Sequence, residues 1–147
     1  MASKAQLETL MDLAQRETDD AAKRLGASLK QVDEARQKHE MLEGFREEYV
    51  KKFEAAQAAG ITPMAYRNFV AFMEKLDTAV KGQLDMIKHA EYRSEQEKTA
   101  WQASERKRMS YSTLNDRADA EALKLENKRD QKAMDEHAAR GAFYKRT

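Results

Sequence analysis

The side chains able to do metal, acid–base or nucleophilic chemistry are few and badly spaced for it. His39, His89 and His137 stand far apart and form neither an HExxH motif nor another ligand pair. There is no cysteine, which excludes thiolate catalysis, a disulfide framework and a cysteine-based zinc site. The carboxylate pairs Asp19-Asp20 and Asp135-Glu136 are adjacent in sequence, so on a helix they point to different parts of the surface. No glycine-rich phosphate loop, nucleophile elbow or Glu-x-x-His pair is present. The expectation is a protein with no catalytic residues, no metal and no cofactor, and therefore not an enzyme.

Composition says what positions the remaining side chains. Leu, Ile, Val and Phe supply 22 of 147 residues, too few for a thick globular core. Ala, Glu, Lys, Leu and Arg make up 78, the composition of long helices packed along a narrow seam. The charge is nearly balanced, with Lys+Arg 27 against Asp+Glu 26, which argues against a dedicated nucleic-acid binder. No apolar run approaches the ~20 residues that span a bilayer. The start Met1-Ala2-Ser3-Lys4-Ala5-Gln6 lacks the apolar stretch of a signal peptide. A soluble, cytoplasmic chain is expected.

Helix breakers are scarce and therefore informative. The only proline lies in Ala59-Gly60-Ile61-Thr62-Pro63. Gly60 suits the left-handed position that ends a helix, Thr62 is a good N-cap, and Pro63 fits the first helical position. Ser3-Lys4-Ala5-Gln6 matches a capping box at the other end. These signals predict helix 1 over about 3–57, a turn at about 58–62, helix 2 over about 63–140 and a flexible basic tail at 141–147. The whole is expected to form a single coiled-coil domain.

The hydrophobic period is that of a seam. Alternating steps of four and three from Leu7 run through Met11, Ala14, Thr18, Ala21, Leu25, Ser28, Val32, Ala35, His39, Leu42, Arg46, Tyr49 and Phe53 to Ala56. Eleven of these fifteen slots are apolar. After the turn the same stepping passes Tyr66, Phe69, Met73, Leu76, Val80, Gln83, Ile87 and Ala90, thins out, and partly recovers at Leu114, Ala118, Ala122 and Leu125. A 3.5-residue period and so short a turn predict an all-α, long antiparallel two-helix coiled coil. Folding back at Gly60 pairs residue 3 with the region near 117. The segment Ala118 to Thr147 then overhangs, a helix without a partner for its apolar face and a candidate binding element.

One stretch carries more aromatic surface than a single strip can bury: Tyr66-Arg67-Asn68-Phe69-Val70-Ala71-Phe72-Met73. Phe45 and Phe72 fall outside the seam stepping. The stretch is either an exposed partner patch or a core widened beside the turn.

Two end strings carry a resemblance. Leu7-Glu8-Thr9-Leu10, Asp12-Leu13-Ala14 and Asp19-Asp20-Ala21-Ala22, closing at Leu25-Gly26, resemble the start of the flagellar export protein FliJ family. So do Glu126-Asn127, Asp130-Gln131-Lys132, Met134-Asp135-Glu136, Ala138 and Arg140 at the other end. Length and the central turn match as well. The resemblance implies a component of the bacterial flagellar type III export apparatus, similar in fold to the gamma subunit of F-type rotary ATPases. It implies a stalk that enters the ring of the export ATPase FliI, with its regulator FliH, promotes ring assembly, and links it to the export gate protein FlhA. Escort of export chaperones, or a chaperone role toward flagellar substrates, is the alternative. A monomer when free, at most peripheral to the inner face of the cell membrane, is also implied.

For the gate contact the resemblance points to Leu42, Phe45, Tyr49, Phe72, Leu76 and Ala79. Position 45 is Phe where the family is familiar with Tyr, and Gln83 stands where a His is familiar. Leu42, Tyr49 and Leu76 also occupy seam slots, so core packing competes for them. For the ATPase end it points to Asp19, Asp20, Arg24, Asp130, Gln131, Lys132, Asp135 and Arg140, polar groups suited to charge-matched contacts.

Overall fold

A computed structural model describes residues 3–146. Helix α1 spans Lys4–Ala59 and helix α2 spans Pro63–Arg146. Among the described residues only Ser3, Gly60, Ile61 and Thr62 are not helical. The boundaries have local causes. The Ser3 amide donates to Gln6 Oε1 at 2.9 Å while the Gln6 amide donates to Ser3 Oγ at 3.2 Å, a reciprocal cap on two amides the helix leaves unpaired. At the turn, Gly60 has φ 89°, which a Cβ would resist, and its amide closes on the Gln57 carbonyl at 3.2 Å. The Ala65 amide then donates to Thr62 Oγ1 at 3.2 Å, capping α2. Helix α2 continues through Gly141 to Arg146.

The two helices pack against each other as an all-α helical hairpin, and the buried residues follow the 3.5-residue period. Every one of the fifteen α1 slots from Leu7 to Ala56 is buried or half-buried. On α2 the slots from Phe69 to Tyr111 are likewise withdrawn from solvent. Tyr66 differs, being 46% exposed: it sits where the seam opens at the turn, with one face of its ring on Phe53.

The chain divides into two compact units, Asp19–Gln102 and Met1–Thr18 with Ala103–Thr147. In the first, Ala21, Val32, Val80 and Gln83 are buried along the seam, margined by the ion pairs Arg24–Glu97, Arg36–Glu91 and Arg46–Asp77. Gln83 Nε2 donates to the Ala35 carbonyl at 2.9 Å across the helices. In the second unit, Leu7, Ala14 and Thr18 are buried, and Lys4–Asp119 and Glu17–Lys107 bridge the helices at 3.4 and 3.3 Å. Lys4 beside Asp119 agrees with pairing of residue 3 near 117. From Asp116 to Lys145 every residue is exposed. Beyond the Lys4–Asp119 bridge this segment is the overhang expected from about Ala118, with Leu123 and Leu125 each 58% exposed and Met134 71% exposed.

Candidate partner-binding surfaces

In the unit Asp19–Gln102, helical spacing gathers aromatic rings from both helices. Tyr49 meets Phe69 at 5.3 Å and Phe72 at 4.5 Å between centroids, and Phe53 meets Phe69 at 5.1 Å. Such pairs add about 0.5–1.5 kcal/mol each beyond the area they bury. The rings thus widen the core locally. Yet Phe45 and Phe72 remain about half exposed, because a two-helix seam has no third element to cover its flank. The cluster therefore has an inward side, Phe69 and Phe53, that widens the core, and a side bordering solvent, Phe45 and Phe72.

Phe45, Tyr49, Phe72 and Leu76 line one open groove of about 270 Å³. Four of the six residues singled out for the gate contact are brought together there. Leu42 is half-buried in the seam and Ala79 is exposed, both outside the groove lining. Glu48 and Lys52 complete the lining and were not singled out from sequence. The signal for them is positional: 45, 48, 49 and 52 share one helical face. Close by, Arg46 Nε donates to Asp77 Oδ1 at 2.7 Å. That hydrogen bond, and then the charge of Asp77, raise the Arg46 pKa. A raised basic pKa contributes stability that is complete below its ordinary value and lost only above it, in strong alkali, so the guanidinium remains a fixed cation.

The polar residues assigned to the ATPase end fall in both units. Asp19 and Asp20 are exposed on α1 in the unit Asp19–Gln102, where Arg24 pairs with Glu97 at 3.4 Å. Asp130, Gln131, Lys132, Asp135 and Arg140 lie on the exposed part of α2 in the other unit. Over that segment Asp130, Gln131, Lys132 and Asp135 span less than two helical turns, a dense polar display.

The histidines are not gathered. His39 is half-buried in a seam slot, its Nε2 3.6 Å from Glu43 Oε1, too long for a hydrogen bond. His89 and His137 are exposed. Among the described residues no group of three or more His, Asp or Glu side chains is arranged to hold a metal ion. Nor is any described helix long and apolar enough to cross a membrane.

Fold and surfaces together define a helical-hairpin coiled coil that leaves an aromatic groove and a long stretch of α2 exposed. The family model described as "Flagellar FliJ protein" matches residues 3–147. The Flagellar FliJ protein of Salmonella typhi is 32% identical over 145 residues, covering 99% of each chain. That of Escherichia coli (strain K12) is 31% identical over the same length and coverage. The chain belongs to the flagellar FliJ protein family.

Proposed function

We propose that this flagellar protein is a non-enzymatic part of the type III export apparatus: a stalk that inserts into the ring of the export ATPase FliI, promotes its assembly and links it to the gate protein FlhA. The observation that carries this reading is the uncovered helix. Thirty consecutive residues, from Asp116 to Lys145, are exposed on a helix that continues unbroken to Arg146. Beyond the Lys4–Asp119 bridge this stretch outruns α1, and a helix without a packing partner is marginal in water and gains stability from one. Its polar groups Asp130, Gln131, Lys132, Asp135 and Arg140 suit charge-matched contacts inside a ring; Asp19, Asp20 and Arg24, in the unit Asp19–Gln102, are polar groups assigned to the same ATPase. The groove at Phe45, Tyr49, Phe72 and Leu76, with Leu42 and Ala79, supplies a separate apolar surface for the gate. Two independent surfaces are what a linker between two machines requires, since it transmits a state only by binding both.

On this reading the whole chain acts as one coiled-coil domain, monomeric when free and cytoplasmic, peripheral to the membrane at the flagellar base. The test is the rate and oligomerisation of the cognate FliI with and without the protein. The full chain raises both, and a chain truncated after Ala118 stays helical and raises neither. Unchanged stimulation by the truncated chain would overturn the stalk-tip assignment.

The half-exposed rings of Phe45 and Phe72 also favour a second reading, a chaperone or chaperone-escort protein. Retention of flagellar subunits or their chaperones by the Ala118-truncated chain, lost on altering Phe45 and Phe72, would select it.

A further inference from the structure

In the unit formed by Met1–Thr18 and Ala103–Thr147, the buried apolar side chains among the described residues are Leu7 and Ala14. On the α2 side the four-three stepping supplies Ser104, Arg108, Tyr111 and Asn115, all half-buried and only one of them aromatic. Arg108 sets its fork on Glu105 of its own helix, with bonds of 3.3 and 2.9 Å. The ion pairs Lys4–Asp119 and Glu17–Lys107 cross between the helices, but all four side chains are more than half exposed. Such pairs contribute little to stability.

This seam also carries two mismatched polar atoms. Thr18 Oγ1 and Asn115 Oδ1 are buried without a hydrogen-bond partner, Thr18 being 4% exposed. Each finds partners in water, so the closed state carries a cost that opening removes. The unit Asp19–Gln102 is built otherwise. There Tyr49, Phe53, Phe69 and Phe72 stack in successive pairs, and Gln83 bonds the Ala35 carbonyl across the seam. Local stability follows buried apolar contact and matched polar groups, and a region poor in both opens without the rest.

We propose that the first turns of α1, Lys4–Thr18, are a releasable cover over α2 residues 104–115. The cover leaves α2 in one step while the aromatic cluster of the other unit stays packed. Opening bares Leu7 and Ala14 together with the seam face of α2 at Ser104, Arg108, Tyr111 and Asn115. That stretch runs directly into the exposed segment from Asp116, so release lengthens the uncovered helix by about three turns. Thr18, at the inner end of the cover, governs how readily it opens, because its unmatched hydroxyl reaches water only when the whole segment leaves. The inference stands apart from the stalk and gate readings.

The absence of cysteine allows one buried thiol to be placed in the full chain. Ala14 and Ala21 are one heptad apart in the seam, 2% and 0% exposed, and belong to different units. The A14C protein is expected to react with the thiol reagent DTNB at least about tenfold faster than A21C. Adding T18V slows A14C at least about threefold. Fraying that creeps inward from Lys4 reaches Ala14 without disturbing Thr18, and is indifferent to T18V. Adding F69A speeds A21C and leaves A14C unchanged, because the aromatic cluster stays packed when the cover opens. Equal rates for A14C and A21C, no effect of T18V on A14C, or an equal effect of F69A on both overturns the proposal. Hydrogen exchange of the unaltered chain decides the matter if a thiol itself loosens the seam. Amides of 8–18 and 104–115 are expected to share one rate, at least about tenfold faster than those of 28–53. A rate common to all three segments overturns the proposal as well.

Discussion

Gln83 Nε2 donates a 2.9 Å hydrogen bond to the backbone carbonyl of Ala35 on the opposite helix, from a side chain only 8% exposed. A buried amide in a seam seldom adds net stability over an apolar residue of similar volume, but it distinguishes one register from its neighbours. The Gln83→Leu protein is therefore expected to unfold at the same temperature or somewhat higher, while its register loosens. Because the chain has no cysteine, spin labels at Lys23→Cys and Lys98→Cys report on this unambiguously. A single narrow distance distribution should broaden in Gln83→Leu; an unchanged one would remove the register role.

Thr18 carries a different kind of buried polar atom. It is 4% exposed and its Oγ1 has no hydrogen-bond partner. Valine has nearly the same shape without the unmatched hydroxyl. Thr18→Val should raise stability by about 1 kcal/mol, the cost of leaving a buried hydroxyl unsatisfied. Urea unfolding followed by circular dichroism measures it, and a loss of stability would mean that the hydroxyl is matched in solution.

Glycines separate by backbone conformation. Gly44 and Gly82 lie inside helices, and a Cβ added at either meets nothing within 4 Å. Each changed to alanine should gain about 0.5–1 kcal/mol. Gly60 also has open space, but its φ of 89° strains any side chain. Gly60→Ala should lose stability by about 1 kcal/mol, so opposite signs at the two kinds of position are the expected result in thermal melts.

Phe72 is both packed and accessible, 45% exposed with its ring 4.5 Å from that of Tyr49. Phe72→Glu should cost about 1–2 kcal/mol through the lost ring contact, while the helical signal at 25 °C stays intact. On the proposed function it weakens binding to FlhA. A large loss of helix would instead make Phe72 part of the core and withdraw it from the gate surface.

The family of this chain was legible in its end strings, and the fold in a handful of residues. Gly60, Thr62 and Pro63 announced the turn because each has a backbone or capping preference that acts locally. The fifteen-slot stepping from Leu7 to Ala56 announced the seam because burial in a coiled coil is periodic along one helix. Phe45 and Phe72 could be placed off that seam by the same counting.

What counting along one helix could not decide was what each residue meets on the other. That Phe45, Tyr49, Phe72 and Leu76 share a groove with Glu48 and Lys52 depends on the relative height and rotation of two helices. So does the coincidence of Ala35 and Ala90 in a second groove, and the choice of which basic residues find an acid. Arg24 and Arg36 fall off the seam stepping as Arg93 does, yet the first two are paired across the helices and Arg93 lines an open depression. Local propensity and periodicity determined two helices, their turn and their inward faces. Only the register between the helices, set by side-chain packing and cross-helix bonds such as Gln83 to Ala35, decided which surfaces those faces left exposed.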